Sequence, residues 1–232
     1  MKILAVDTST NVCSVCILAG EEIVAEYATV GGKTHSERLM PAIELLFGHL
    51  DYGIDSLQGI AVIHGPGSFT GLRIALSVVK GLAFALDLPV VAVSALEIAA
   101  LQLQQEGLIC PAMDARRHEV FTCLYEKKGS DLKMLLEPRS IDPVAWSGEI
   151  PKDPIIFCGA GAHLYWHLLR NHPESSLVYP ENLILAPALA RFARNRFQKG
   201  DVIKANQLKP AYLRPSDAEV TGPRPSKLSA GT

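Results

Sequence analysis

Apolar positions along this chain fall into short unbroken runs and longer stretches of helical period. The clearest junction between the two lies at residues 60–86, IAVIHGPGSFTGLRIALSVVKGLAFAL. Ile60, Ala61, Val62 and Ile63 predict a buried strand, and Gly65, Pro66 and Gly67 break it before a helix that opens at Thr70. At about 100° per residue, Leu72, Ala75, Val79, Ala83 and Leu86 share one side, while Arg73, Ser77, Lys80 and Phe84 form a narrow stripe. So little of this helix is polar that it is either sandwiched within the fold or covered by a partner. Ser77, Gly81 and Ala85 place small residues at four-residue spacing along one edge. Gly81 weakens an isolated helix by about 1 kcal/mol relative to Ala, which predicts close packing there.

The same reading extends in both directions. Residues 2–6 predict a strand that ends at Asp7-Thr8-Ser9-Thr10-Asn11, a turn rich in side-chain oxygens, and strands follow at 12–18 and 23–28. Thr34-His35-Ser36-Glu37 fits a capping box, and the helix it opens carries Leu39, Ile43, Leu46 and Leu50 on one stripe, with Pro41 past its first turn. Residues 89–93 form a strand, and Ser94 caps a helix to about Gln105. The order of strands and helices predicts an α/β structure whose first three strands meander and whose later ones are joined by crossovers. The second half restarts with strands, at 108–113, 119–125, 132–136 and 155–158, without repeating the first half closely. Helices are expected at about 162–169 and 183–197. From Arg214 the composition turns to Pro, Gly, Ser and Thr and reads as a mobile tail.

Composition narrows the classes of function. The 232 residues, 48% hydrophobic and 20% charged, describe a chain with ample material for a buried core, and a formal charge of -2 lacks the footprint of a direct nucleic-acid binder. The first apolar run is too short for a secretory leader and no run approaches a membrane span, so a cytosolic protein without membrane contact is expected. Five cysteines are poor material for a disulfide framework. Cys13 and Cys16 form C-x-x-C, but an extended strand points them to opposite faces, which favours small buried hydrophobes over a redox or metal pair.

Several polar residues carry two readings. Asp7 at a strand end is either a turn aspartate bonding the backbone after it or a carboxylate orienting a metal-bound water beside a nucleotide phosphate. His35 is either a polar residue of a first turn or a ligand or base. His163 and His167 lie one helical turn apart on a predicted helix, the spacing of a metal pair. Gly65-Pro66-Gly67-Ser68 lacks the lysine and spacing of a Walker loop, and Ser68 lacks the glycine two residues to either side that a nucleophile elbow needs.

Taken together, DTST, THSERLMP, GPGSFTGLRIALSVVKGLA, SALE, DARRHEVF and PAYLRP resemble the TsaB (YeaZ) family over residues 1 to about 215. These are accessory subunits of the bacterial complex that forms N6-threonylcarbamoyladenosine on adenosine 37 of tRNAs reading ANN codons. The resemblance implies an actin/hexokinase/Hsp70-like fold of two subdomains, each a mixed sheet flanked by helices. It divides the chain into 1–105, with partner-binding helices, 106–215, and a tail at 216–232. It also implies a TsaD-type catalytic partner, a TsaE-type ATPase in the ternary complex, a homodimer when alone, and only indirect contact with tRNA.

On the same resemblance the related catalytic subunit holds a metal by H-x-x-x-H, and the corresponding stretch here has only His35. The phosphate turns read DTST, without glycine, and DARR in place of Asp-x-Gly-Gly, while Gly159 and Gly161 leave space for an adenosine. The expectation is a non-catalytic partner subunit that binds no cofactor or metal by itself, ATP and metal being carried by its partners. Its interface is expected at His35, Leu39, Ile43, Arg73, Ser77, Lys80 and Phe84. A vestigial nucleotide cleft is expected at Asp7, Thr8, Ser9, Asp114, Gly159 and Gly161. The alternative is a small ATP-dependent phosphotransferase or ATPase using Asp7, Thr8 and Asp114.

Overall fold

A computed structural model describes residues 1–170, 174–178 and 181–214; the tail expected at 216–232 lies outside them. The first half runs β1 (Lys2–Asp7), β2 (Val12–Ala19), β3 (Glu22–Val30), α1 (His35–Gly48), β4 (Gly59–Gly65), α2 (Phe69–Ala85), β5 (Val90–Ser94) and α3 (Ala95–Leu101). The second runs β6 (Gly107–Arg116), β7 (Glu119–Lys128), β8 (Asp131–Ile141), α4 (Pro143–Glu149), β9 (Ile155–Cys158), α5 (Ala160–Leu164), α6 (Trp166–Leu169), β10 (Ser176–Val178) and α7 (Ala186–Gln198). No helix of the described residues is long and apolar enough to cross a membrane.

The two sheets have one topology. The first is ordered β3-β2-β1-β4-β5 and the second β8-β7-β6-β9-β10, each with an antiparallel meander followed by parallel crossovers. The second half therefore does repeat the first, contrary to the sequence expectation. The likeness lies in strand order, which backbone hydrogen bonds set, and not in the side chains that a sequence comparison weighs. Each half is thus a mixed sheet flanked by helices, the two-subdomain arrangement that the sequence resemblance implies.

Strand periodicity sorts the side chains. On β1, β2 and β4, Leu4, Val6, Val15, Ile17, Ile60 and Val62 face α1 and α2, and Ile3, Ala5, Leu18, Ala61 and Ile63 face the other way. Cys13 belongs to the first set and Cys16 to the second, so the C-x-x-C pair is divided by the sheet. The inward face continues into Ile109, Met113, Phe121, Cys123 and Tyr125 of the second half, giving one core between the sheets. A third cluster, with Trp146, Phe157 and Leu169, fills the outer face of the second sheet.

Helices α3 and α7 occupy the layer between the sheets and exchange sides. Helix α3 packs on β6 and β7, and α7 packs on β1, β2 and β4, its first amide donating to Ser14 Oγ at 3.4 Å. The Lys127 ammonium of β7 donates to the carbonyls of Leu101 and Leu103, closing the C-terminal end of α3. Other boundaries moved. The helix expected at 162–169 is broken at Tyr165 into α5 and α6, so His163 and His167 do not share one continuous helix. Helix α4, capped by the Asp142 carboxylate at 2.9 and 3.1 Å from two amides, had no apolar period long enough to register.

Candidate functional site

Strand β1 delivers the DTST turn to the start of α2, and the two loops are packed together. Ser9 N donates to Asp7 Oδ1 at 2.8 Å, Thr8 Oγ1 donates to Gly71 O at 2.8 Å, and Ser68 N donates to Ser9 O at 2.6 Å. Ser68 also caps α2, its hydroxyl accepting from Gly71 N at 3.2 Å. A Cβ on Gly67 would run into the Ser9 carbonyl, and one on Gly71 into that of Thr8. The glycines of GPGSFTG thus let one backbone approach another, which explains the motif without a ligand.

Between the halves lies a cleft of about 930 Å³, with Ser9, Thr10 and His35 on one wall and Asp114, Arg116, Arg117 and Gly159 on the other. Of the six residues expected to form a nucleotide cleft, Ser9, Asp114 and Gly159 line it, whereas Asp7, Thr8 and Gly161 do not. Asp7 and Thr8 are fully buried. Burial pushes the Asp7 carboxyl up to about 6, although the hydrogen bond from the Ser9 amide acts in the opposite sense. Asp7 Oδ2 and Ser9 Oγ are both buried without a hydrogen-bond partner.

The two glycines expected to leave space for an adenosine differ in setting: Gly159 lines the cleft and Gly161 does not. A Cβ on Gly159 would meet the Ala112 carbonyl at 2.5 Å, and one on Gly161 the Met113 and Ala112 backbone at 2.8 and 2.9 Å. These glycines serve the packing of α5 on β6. In the facing turn Asp114 Oδ1 accepts from Arg116 N at 2.8 Å, and Arg116, Arg117 and His118 are all left-handed, with φ of 62°, 54° and 58°. Three such non-glycine residues in succession store local strain. Among the described residues, no three His, Cys, Asp or Glu side chains come together as a metal site.

The expected interface divides into two sets. Leu39 and Ile43 are 0% and 1% exposed in the core beneath α1, so they cannot meet a partner. Their stripe and the outward stripe of α2 are both apolar in sequence, and only packing shows which is covered. His35 is a loop tie: its Nε2 lies 2.7 Å from Thr10 O and its Nδ1 3.3 Å from Arg38 Nη2, so the ring donates from Nε2 and accepts at Nδ1. Burial lowers its pKa against the opposing bond to Thr10, and the Arg38 charge adds a smaller push in the same direction as burial.

By contrast Arg73, Ser77, Lys80 and Phe84 all face solvent on α2, Phe84 with 85% of its surface exposed. A Cβ at Gly81 would meet nothing within 4 Å. The close packing expected at Gly81 is therefore not supplied by this chain. A groove of about 490 Å³ beside the stripe is lined by Ser36, Met40, Thr70, Arg73, Ile74 and Ser77, among others, between α1 and α2.

Sequence reasoning gave no role to Tyr212, Arg214 or Glu119. Tyr212 stacks on Phe69 with ring centroids 4.7 Å apart, and Arg214 donates to Glu119 Oε2 at 2.7 Å. The run PAYLRP stood out as a motif, but the contacts of its residues 211–214 lie 95 to 147 positions away in sequence, beyond any local signal.

Comparison with known proteins places this geometry in context. The family model for TsaD, tRNA N6-adenosine threonylcarbamoyltransferase, matches residues 21–159. The tRNA threonylcarbamoyladenosine biosynthesis protein TsaB of Bacillus subtilis is 38% identical over 174 residues, covering 74% of this chain and 76% of that one. The protein of the same description from Haemophilus influenzae is 30% identical over 227 residues, covering 92% and 94%. The solved structure of YeaZ from Pseudomonas aeruginosa superposes with a TM-score of 0.81 at 31% identity, covering 91% of this chain and 99% of that one.

Proposed function

We propose, from the premise that this chain belongs to the TsaB family of tRNA threonylcarbamoyladenosine biosynthesis proteins, that it acts there as a non-catalytic partner subunit. It docks a TsaD-type catalytic subunit through the outward stripe of α2, and the TsaE-type ATPase joins the pair in a ternary complex. The observation that carries this reading is Phe84, a large aromatic left 85% exposed on a helix whose small neighbour Gly81 has open space beside it. An aromatic flanked by Arg73, Lys80 and Ser77 has the composition of a protein interface, with an apolar anchor inside a polar rim. Close approach of a partner helix at Gly81 also accounts for a glycine that is otherwise a cost.

Alone, the subunit pairs with a second copy through the same face, since a surface that fits a related fold can fit itself. ATP and metal are carried by the partners, tRNA is met only through them, and the complex works in the cytoplasm. Phe84→Asp tests the reading. The variant should fold as the parent does and fail to co-purify with the catalytic subunit of the same organism, and unchanged co-purification removes α2 from the interface.

A second reading, a small ATP-dependent phosphotransferase, is favoured by the cleft and by the unpartnered oxygens of Ser9, which lines it, and of Asp7 buried behind it. The burial of Asp7 and Thr8 away from the cleft weighs against it. Titration calorimetry of the isolated chain with Mg-ATP separates the two: binding in the micromolar range supports the phosphotransferase, and no heat supports the partner subunit.

A further inference from the structure

We infer that residues 209–214 form a latch across the mouth of the cleft, and that its tie to Arg73 links cleft opening to the outward face of α2. The segment begins on the first half. Ala211 N donates to His64 O at 2.8 Å, His64 Nδ1 lies 3.2 Å from Lys209 O, and the Ala211 carbonyl sits where a Cβ on Gly65 would be. Tyr212 then stacks on Phe69 at the start of α2, the planes 24° apart, and its hydroxyl accepts from Arg73 Nε at 3.1 Å. The same guanidinium lies 3.9 Å from the centre of the Phe69 ring.

The other end crosses to the second half. Arg214 donates to Glu119 Oε2 at 2.7 Å and to Ala115 O at 3.1 Å, and Glu119 also accepts from Ser140 at 2.7 Å. Tyr212, Leu213 and Arg214 line the cleft, whose floor reaches Ala99 and the fully buried Cys158. The halves are joined by a continuous core at the floor, and this short segment adds a restraint at the mouth. Each end rests on a few partly exposed polar and aromatic contacts, which open far more readily than a core does. Because Arg73 stands both on the α2 stripe and against Tyr212, whatever occupies one site biases the other by the same factor.

Labelling Cys158 reads the latch directly and needs no partner, so its failure leaves the proposed function standing, and the reverse also holds. The full chain is treated with N-ethylmaleimide and the modified cysteine identified by peptide mapping, with Cys13 and Cys16, buried within the first sheet, reporting general unfolding. Arg214→Ala, Glu119→Gln and Arg73→Ala should each label Cys158 about three- to ten-fold faster, with Cys13 and Cys16 unchanged. An unchanged Cys158 rate in both Arg214→Ala and Glu119→Gln, or a uniform rise at all cysteines, overturns the latch. Acceleration in those two but not in Arg73→Ala overturns the link to α2.

Discussion

Replacing Asp7 by Asn isolates the free energy of a buried carboxyl. The native pKa is pushed up to about 6 from an ordinary value of 3.8, with desolvation the leading cause. Between those values the folded chain holds a proton that the unfolded chain has released. Stability therefore falls as pH rises through this window and stays low above about pH 6. A shift of about 2 units at about 1.36 kcal/mol each gives a loss on the order of 3 kcal/mol, without discount for solvent because the group is fully buried. Asparagine keeps an oxygen for the Ser9 amide and offers its NH2 where Oδ2 now lies unpartnered. Urea unfolding at about pH 4 and pH 8 should show the variant gaining on the parent by about 2 to 3 kcal/mol between the two, roughly 4 to 12 °C in Tm at this chain length. Taking the difference between variant and parent cancels the other titrating groups. A pH-independent difference would refute the burial argument, and a variant that loses ground as pH rises would show that the ionised carboxylate is held by partners.

Leu39→Ala should cost about 2 to 5 kcal/mol in chemical denaturation, the range of a core truncation, and leave partner binding per folded molecule intact. Phe84→Asp should stay within about 0.5 kcal/mol of the parent in the same assay, since an 85% exposed ring gives up little on replacement. Gly71→Ala, which drives a methyl into the Thr8 carbonyl, should lose about 2 kcal/mol or more by thermal melting, and Gly81→Ala should gain about 0.5 to 1 kcal/mol because nothing stands nearby.

Strand β1, the helix capped at Thr34 and the stretch around α2 were legible because their signals are local: apolar period, glycine breaks and capping residues act within a few positions. Glu37 accepts from Thr34 N at 2.9 Å, as the capping box requires. Less legible were elements whose stability comes from distant contacts. The α5 and α6 turns carry a mixed pattern, HLYWHLL, that gives no stop at Tyr165. The three-residue β10 exists by pairing with β9. The polar stripe of α2 is exposed as its pattern predicts, because charge at helical spacing must find water. Leu39 and Ile43 misread because an apolar residue at helical spacing fits a partner or a core equally well.

What the sequence determined by itself is the alphabet of elements and the family, through motifs such as GPGSFTGLR that combine a turn, a cap and a close approach in nine residues. Tertiary structure alone decided which apolar stripe is buried, that α3 and α7 exchange sides between two sheets of one topology, and that residues 211–214 touch both halves. The physical reason is range. Propensity and periodicity are properties of a few neighbouring residues, whereas burial and the pairing of Arg214 with Glu119 arise only when segments far apart in the chain displace the water between them.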